Sequence, residues 1–108
     1  MTRRAMWTLS RAVARAKGWT HVRGQEGIPP GPGGTGSVSV PLYTENAFCW
    51  TQIQTANRLY VIPQGAVWIS GKTKLQLSQI ALEGYGATPG EAVCRWAVAF
   101  AKAGGEVK

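Results

Sequence analysis

Few side chains in this 108-residue sequence could do covalent chemistry, and their spacing does not assemble them. The acidic set is five glutamates, Glu26, Glu45, Glu83, Glu91 and Glu106, with no aspartate. A glycosidase-type pair would have to come from these, and Glu45 and Glu91 read as helix N-terminal residues instead. The single histidine, His21, has no acidic orienter closer in sequence than Glu26, so no nucleophile, base and orienter come together around it. One histidine without neighbouring ligands makes no metal centre. The expectation is therefore a chain that is not an enzyme, with no catalytic residue, no metal ligand and no cofactor. Cys49 and Cys94 form no C-x-x-C pair and read as buried free thiols of a reducing compartment, although their spacing leaves a disulfide open.

Two glycine-rich stretches imitate nucleotide loops without their context. GPGGTG places Gly31, Gly33 and Gly36 in the order G-x-G-x-x-G, but Ile28, Pro29 and Pro30 supply no strand before it and no helix begins within it. GKTK, Gly71 to Lys74, ends like a phosphate loop, yet the first glycine of that motif would fall on Ala66, with Gly65 one residue too early. Lys72 and Lys74 thus read as an exposed turn or a secondary part of an anion surface.

The chemistry that does stand out is positive charge. Twelve lysines and arginines against five glutamates give a net charge of +7. Six of the twelve, Arg3, Arg4, Arg11, Arg15, Lys17 and Arg23, fall within the first 23 residues, where there is no acid. Such a balance favours nucleic acid, nucleotides, anionic lipid or an acidic protein surface as partner. Arg4, Arg11 and Arg15 repeat at i, i+7 and i+11 with Thr8 between them, which lines three guanidiniums along one helix stripe. An idle surface helix mixes signs to gain i,i+4 pairs, whereas here Arg11 and Arg15 repel each other. Trp7 and Trp19 lie close enough to this stripe to stack on a base or to pack at the centre of a contact.

The elements that must hold these residues follow from periodicity. Residues 3–17 read as an amphipathic helix with Ala5, Met6, Leu9, Ala12, Val13 and Ala16 on its core face and Gly18 as its stop. Residues 18–41 are dense in glycine and proline and read as a loop. The 42–104 portion reads as an α-β-β-β-α unit. Its first helix runs from about Glu45 to Asn57 with Thr44 as N-cap. A hairpin joins 58–62 to 66–70 through Pro63-Gln64-Gly65, and a third strand lies within 75–82. Thr88-Pro89-Gly90-Glu91 then forms a capping box that opens the last helix, and Gly104-Gly105 closes it, with a short mobile tail expected after it. The fold class is α+β: one domain, a sandwich of a small three-stranded antiparallel sheet with helices in the order α-α-β-β-β-α. No apolar run approaches the roughly 20 residues of a membrane span, and no apolar signal-peptide core is present.

The stretches VPLYTENAFCWTQI and ATPGEAVCRWAVAFAKAGG resemble the small bacteriophage proteins of the phage α-β-α sandwich family. In that family a V-P-x-Y-[ST] entry leads into a Trp-containing helix, and T-P-x-x-A-[IV]-C-R opens the final one. Val40, Pro41, Tyr43, Thr44 and Trp50 carry the first motif; Thr88, Pro89, Ala92, Val93, Cys94 and Arg95 carry the second, and Ala14 to Thr20 is similar to the segment that often precedes them. The resemblance implies a phage origin, a host bacterial cytoplasmic location and a layered α/β fold, and brings no established activity. With the charge, it points to a counter-defence inhibitor, of the anti-CRISPR or nucleotide-sponge kind, that binds an anionic target stoichiometrically. The target would be a host defence protein, a nucleotide second messenger or nucleic acid. Its binding residues would be Arg4, Arg11, Arg15, Lys17, Trp19 and Arg23, with Lys72 and Lys74 as a secondary group. Direct, sequence-independent nucleic-acid binding is one alternative. A structural or homo-oligomeric phage protein, paired through exposed hairpins, is another.

Overall fold

A computed structural model describes residues 2–31, 36–72 and 82–108. Along the chain run α1 (Arg3–Ala16), β1 (Thr20–Arg23), β2 (Glu26–Ile28), β3 (Val38–Ser39), α2 (Ala47–Asn57), β4 (Leu59–Gln64), β5 (Val67–Lys72), β6 (Glu83–Gly86) and α3 (Pro89–Lys102). Two three-stranded antiparallel sheets form, with strand orders β1-β2-β3 and β4-β5-β6. The architecture is the expected α+β, with one sheet more than the sequence reading anticipated.

The helix α3 is central because its caps and its apolar face agree. The Thr88 hydroxyl accepts from the Glu91 amide at 3.2 Å. The reciprocal arm of the box differs from expectation, for the Glu91 carboxylate takes the amide of Ala87, one residue before the cap, at 3.0 Å, while its other oxygen meets Arg95 at 3.0 Å. The far end closes as a Schellman turn, with Gly104 at φ 90° and the Gly105 amide reaching the Phe100 carbonyl. Ala92, Val93, Cys94, Trp96 and Ala97 are buried on the inner side.

The strand β6 reads Glu-Gly-Tyr-Gly, and its two glycines allow α3 to lie almost on the backbone. A Cβ at Gly84 would collide with the Ala92 carbonyl and the Trp96 amide, and one at Gly86 with the Glu91 side chain. The strand expected at 75–82 lies, apart from Leu82, outside the described residues, and the third strand of this sheet is β6. Between β4 and β5 the register pairs Gln64 with Val67, so the turn is Gly65-Ala66 and not Pro63-Gln64-Gly65. Gly65 carries the positive φ (64°) that a two-residue turn of the II′ kind requires at its first central position. Pro63 is tolerated within β4 because β4 is an edge strand.

Three further expectations are corrected. The 18–41 segment is not simply a loop: β1 and β2 form a hairpin around Gly24-Gln25, and β3 adds to β2. A bulge with His21 at φ 51° breaks the alternation of β1 and hides the strand from a periodicity reading. The helix α2 begins at Ala47, with the Asn46 side chain accepting from the Cys49 amide, because residues 42–46 first turn back on the Leu42 carbonyl. Thr44, expected as the cap, is buried instead. The end of the chain is not a mobile tail, for Val107 enters the core and the Lys108 amide donates to the Asn57 side chain at 3.1 Å.

Candidate functional site

The positively charged helix α1 is capped at both ends by its own sequence. The Thr2 hydroxyl accepts from the Ala5 amide, and at the other end Gly18 (φ 95°) lets the Trp19 amide reach the Ala14 carbonyl in a Schellman turn. The helix is rotated from the expected orientation. Ser10, Val13 and Ala14 are its buried residues, Ala5 is exposed, and Leu9, Ala12 and Ala16 are only half-buried. The cause is a second neighbour: α1 packs against α3 on one flank and against the β1–β2 hairpin on the other, and the buried line falls between them.

That second neighbour also organises the arginines. The Arg11 guanidinium donates to the Gly24 carbonyl at 3.0 Å and to the Thr8 hydroxyl at 3.3 Å, and Thr8 in turn donates to the Arg4 carbonyl. Arg15 donates to the Val22 carbonyl at 3.1 Å. Two guanidiniums are thus tied to the backbone of the hairpin, while each keeps further N–H groups for a partner, since a guanidinium carries five. Among the described residues the one ion pair is Arg95–Glu91, so no carboxylate neutralises the α1 row.

The other expected site residues are dispersed. Arg23 stands at the end of β1, opposite Glu26 in register, and with His21, Val22 and Ser37 borders a shallow hollow near the hairpin. The Lys17 ammonium lies 5.9 Å from the centre of the Tyr43 ring. Trp19 is half-buried at the edge of the core, close above Gly27, and Trp7 also packs against the core. Lys72 is held on the sheet side of α3, 4.5 Å from the centre of the Phe100 ring, which stacks on Trp96 at 4.7 Å. It is not part of the α1 row, and Lys74 lies outside the described residues. Sequence reasoning missed Arg95 and Lys102, which border the exposed side of α1 from α3. Their i,i+7 spacing opposite the buried face was the available signal.

The thiols are chemically quiet. Burial pushes Cys94 up to about 12, and burial also raises Cys49, with the Lys17 charge acting against it. Both therefore stay protonated at neutral pH and are weak nucleophiles. No cluster of three potential metal ligands occurs among the described residues, and no described helix is long and apolar enough to cross a membrane.

No protein-family model, curated protein or solved structure matches this chain.

Proposed function

We propose that this chain is a non-enzymatic binding module that engages an anionic partner stoichiometrically through the arginine face of α1. A bacteriophage accessory protein in the host cytoplasm is the setting that the family resemblance implies, and counter-defence inhibition is the role that the cationic face adds to it. The observation that carries the reading is the tethering of Arg11 and Arg15 to the Gly24 and Val22 carbonyls beside Arg4, with no acid in ion-pair contact with the row among the described residues. Guanidiniums already fixed in place lose less side-chain entropy when they meet phosphates or carboxylates, and their fork geometry suits both.

The test is a titration of labelled oligonucleotides, cyclic dinucleotides and co-purifying proteins, read by fluorescence anisotropy or capture. If phosphates occupy the row, three arginine contacts give a log–log salt slope of about −2.7 on duplex DNA, at about 0.9 per contact. The variant with Arg4, Arg11 and Arg15 all changed to Glu should lose binding while retaining its helical circular dichroism. A folded triple variant that binds its partner as well as the parent does would move the interface off α1.

A further inference from the structure

The exposed side of α1 does not end at its arginines. Two adjoining hollows, of about 470 and 330 Å³, run along the seam between α1 and α3 and share Ala12. Their floor is apolar, with Leu9, Ala12 and Ala16 from α1 facing Val98 and Ala101 from α3, and all five side chains are only partly covered. The rim is cationic on both sides, Arg4 and Arg15 on α1 and Arg95 and Lys102 on α3, and all four are exposed. From Arg4 to Ala16 the seam is about 18 Å long, three turns of helix at 1.5 Å per residue.

We propose that this seam is a docking groove for an acidic amphipathic helix of a partner protein. The proposal rests on the reading that the α1 arginine face binds an anionic partner, and it names that partner's chemistry. Charge complementarity selects the occupant. A nucleic-acid backbone would satisfy the cationic rim but leave the uncovered parts of Leu9 and Val98, which pack against the core only on their inner side, without an apolar partner. A neutral helix would fill the floor but leave Arg4, Arg15 and Lys102 without an acidic partner, Arg95 being paired with Glu91. A helix with an apolar row flanked by glutamates satisfies both, in the manner of helix-in-groove recognition. Alanines at positions 12, 16 and 101 leave room for a third helix to approach the backbone of the first two. Glu91, one turn before Arg95 on α3, is engaged by that guanidinium, so its repulsion of incoming carboxylates is offset.

The experiment uses the full chain and a labelled designed peptide of about 18 residues, long enough to fill the groove with a margin at each end. The peptide carries leucine and alanine along one helical face and glutamates on both flanks; a second peptide replaces every glutamate with lysine. Saturable binding of the acidic peptide is expected, with amide chemical-shift changes at Leu9, Ala12, Val98 and Ala101, and no binding of the lysine peptide. The double variant R4E/K102E, which removes one cation at each end and breaks no side-chain hydrogen bond of the structure, should weaken binding by about tenfold or more. Ala12→Gln, which obstructs the floor, should abolish peptide binding and leave oligonucleotide binding unchanged. Equal affinity for the two peptides, or peptide binding indifferent to both variants, overturns the proposal. So does binding to vesicles containing phosphatidylglycerol with no binding to the peptide. If oligonucleotides bind in an Arg4-, Arg11- and Arg15-dependent way while the peptide does not, the groove fails and the arginine face stands. Loss of all anion binding sinks both.

Discussion

Replacing Gly84 with alanine tests how α3 is placed, and with it the groove that α3 shares with α1. The added Cβ would fall far inside van der Waals contact of the Ala92 carbonyl oxygen and the Trp96 amide, and 2.9 Å from the Trp96 Cα. All three are backbone atoms of a helix, so no side chain can swing away to make room. The helix must rise from β6 by about an ångström, which also loosens the buried contacts of Val93, Trp96 and Ala97. Overpacking a core costs about 1–3 kcal/mol and more where the backbone is the obstacle, so about 3 kcal/mol is expected. With an unfolding entropy near 2.1 cal/mol/K per residue, that lowers the Tm of a domain this size by about 13 °C. Gly24 is the control. It lies at φ 61°, and a methyl group added there would meet nothing within 4 Å, so Gly24→Ala reports conformational strain alone, about 1–2 kcal/mol. Thermal and urea unfolding followed by tryptophan fluorescence measure both variants. A Gly84→Ala protein within about 1 kcal/mol of the parent would refute the packing argument.

Alkaline pH should destabilise the fold. Burial, and then the neighbouring Cys49, push Tyr43 up to about 12 from 10.0, and burial pushes Cys94 up to about 12 from 9.0. The folded state thus keeps protons that the unfolded chain releases. The stability they contribute is complete below pH 9 and is lost between pH 9 and 12, by about 1.4 kcal/mol per pH unit for each group in its window. Urea midpoints measured from pH 8 to 11 should fall, and the fall should be shallower in Cys94→Ala; a flat profile contradicts the burial of both groups. Removing Val107 and Lys108 should cost about 2 kcal/mol, because it exposes the site filled by Val107 and takes from the Asn57 side chain its two bonds to Lys108, leaving its Oδ1 without that donor and only the Nδ2 bond to the Ile53 carbonyl in place. Differential scanning calorimetry of the truncated chain measures this, and an unchanged Tm would show the C-terminus to be a free tail.

The helices were legible because their signals are local. Thr88, Pro89 and Glu91 sit at fixed offsets, Gly18 and Gly104 occupy the left-handed position after a helix, and the apolar residues of α3 repeat at helical spacing. Local chemistry of this kind depends on neighbours within about four residues, which a sequence displays directly. The small sheet at 20–39 was not legible. Its strands are two to four residues long, His21 breaks the alternation, and its place is set by contacts with α1 that lie far off in sequence. The glycine strand β6 was hidden for a related reason, since Gly84 and Gly86 are poor strand formers on their own and make sense only beneath a helix.

The candidate site divides in the same way. The concentration of cations in the first 23 residues, the absence of acids among them and the row Arg4, Arg11, Arg15 are properties of the sequence, because charge and helical spacing are written in residue order. Which way that row faces is not. The rotation of α1 depends on its two flanking neighbours, and one of them, the β1–β2 hairpin, ties down Arg11 and Arg15 through carbonyls at Gly24 and Val22. The same rotation leaves Leu9, Ala12 and Ala16 beside Arg95 and Lys102 from the other end of the chain. Residue order determined that there would be a cationic helix; tertiary packing decided what stands beside it, because a helix face is buried by whichever surfaces reach it and not by its own periodicity alone.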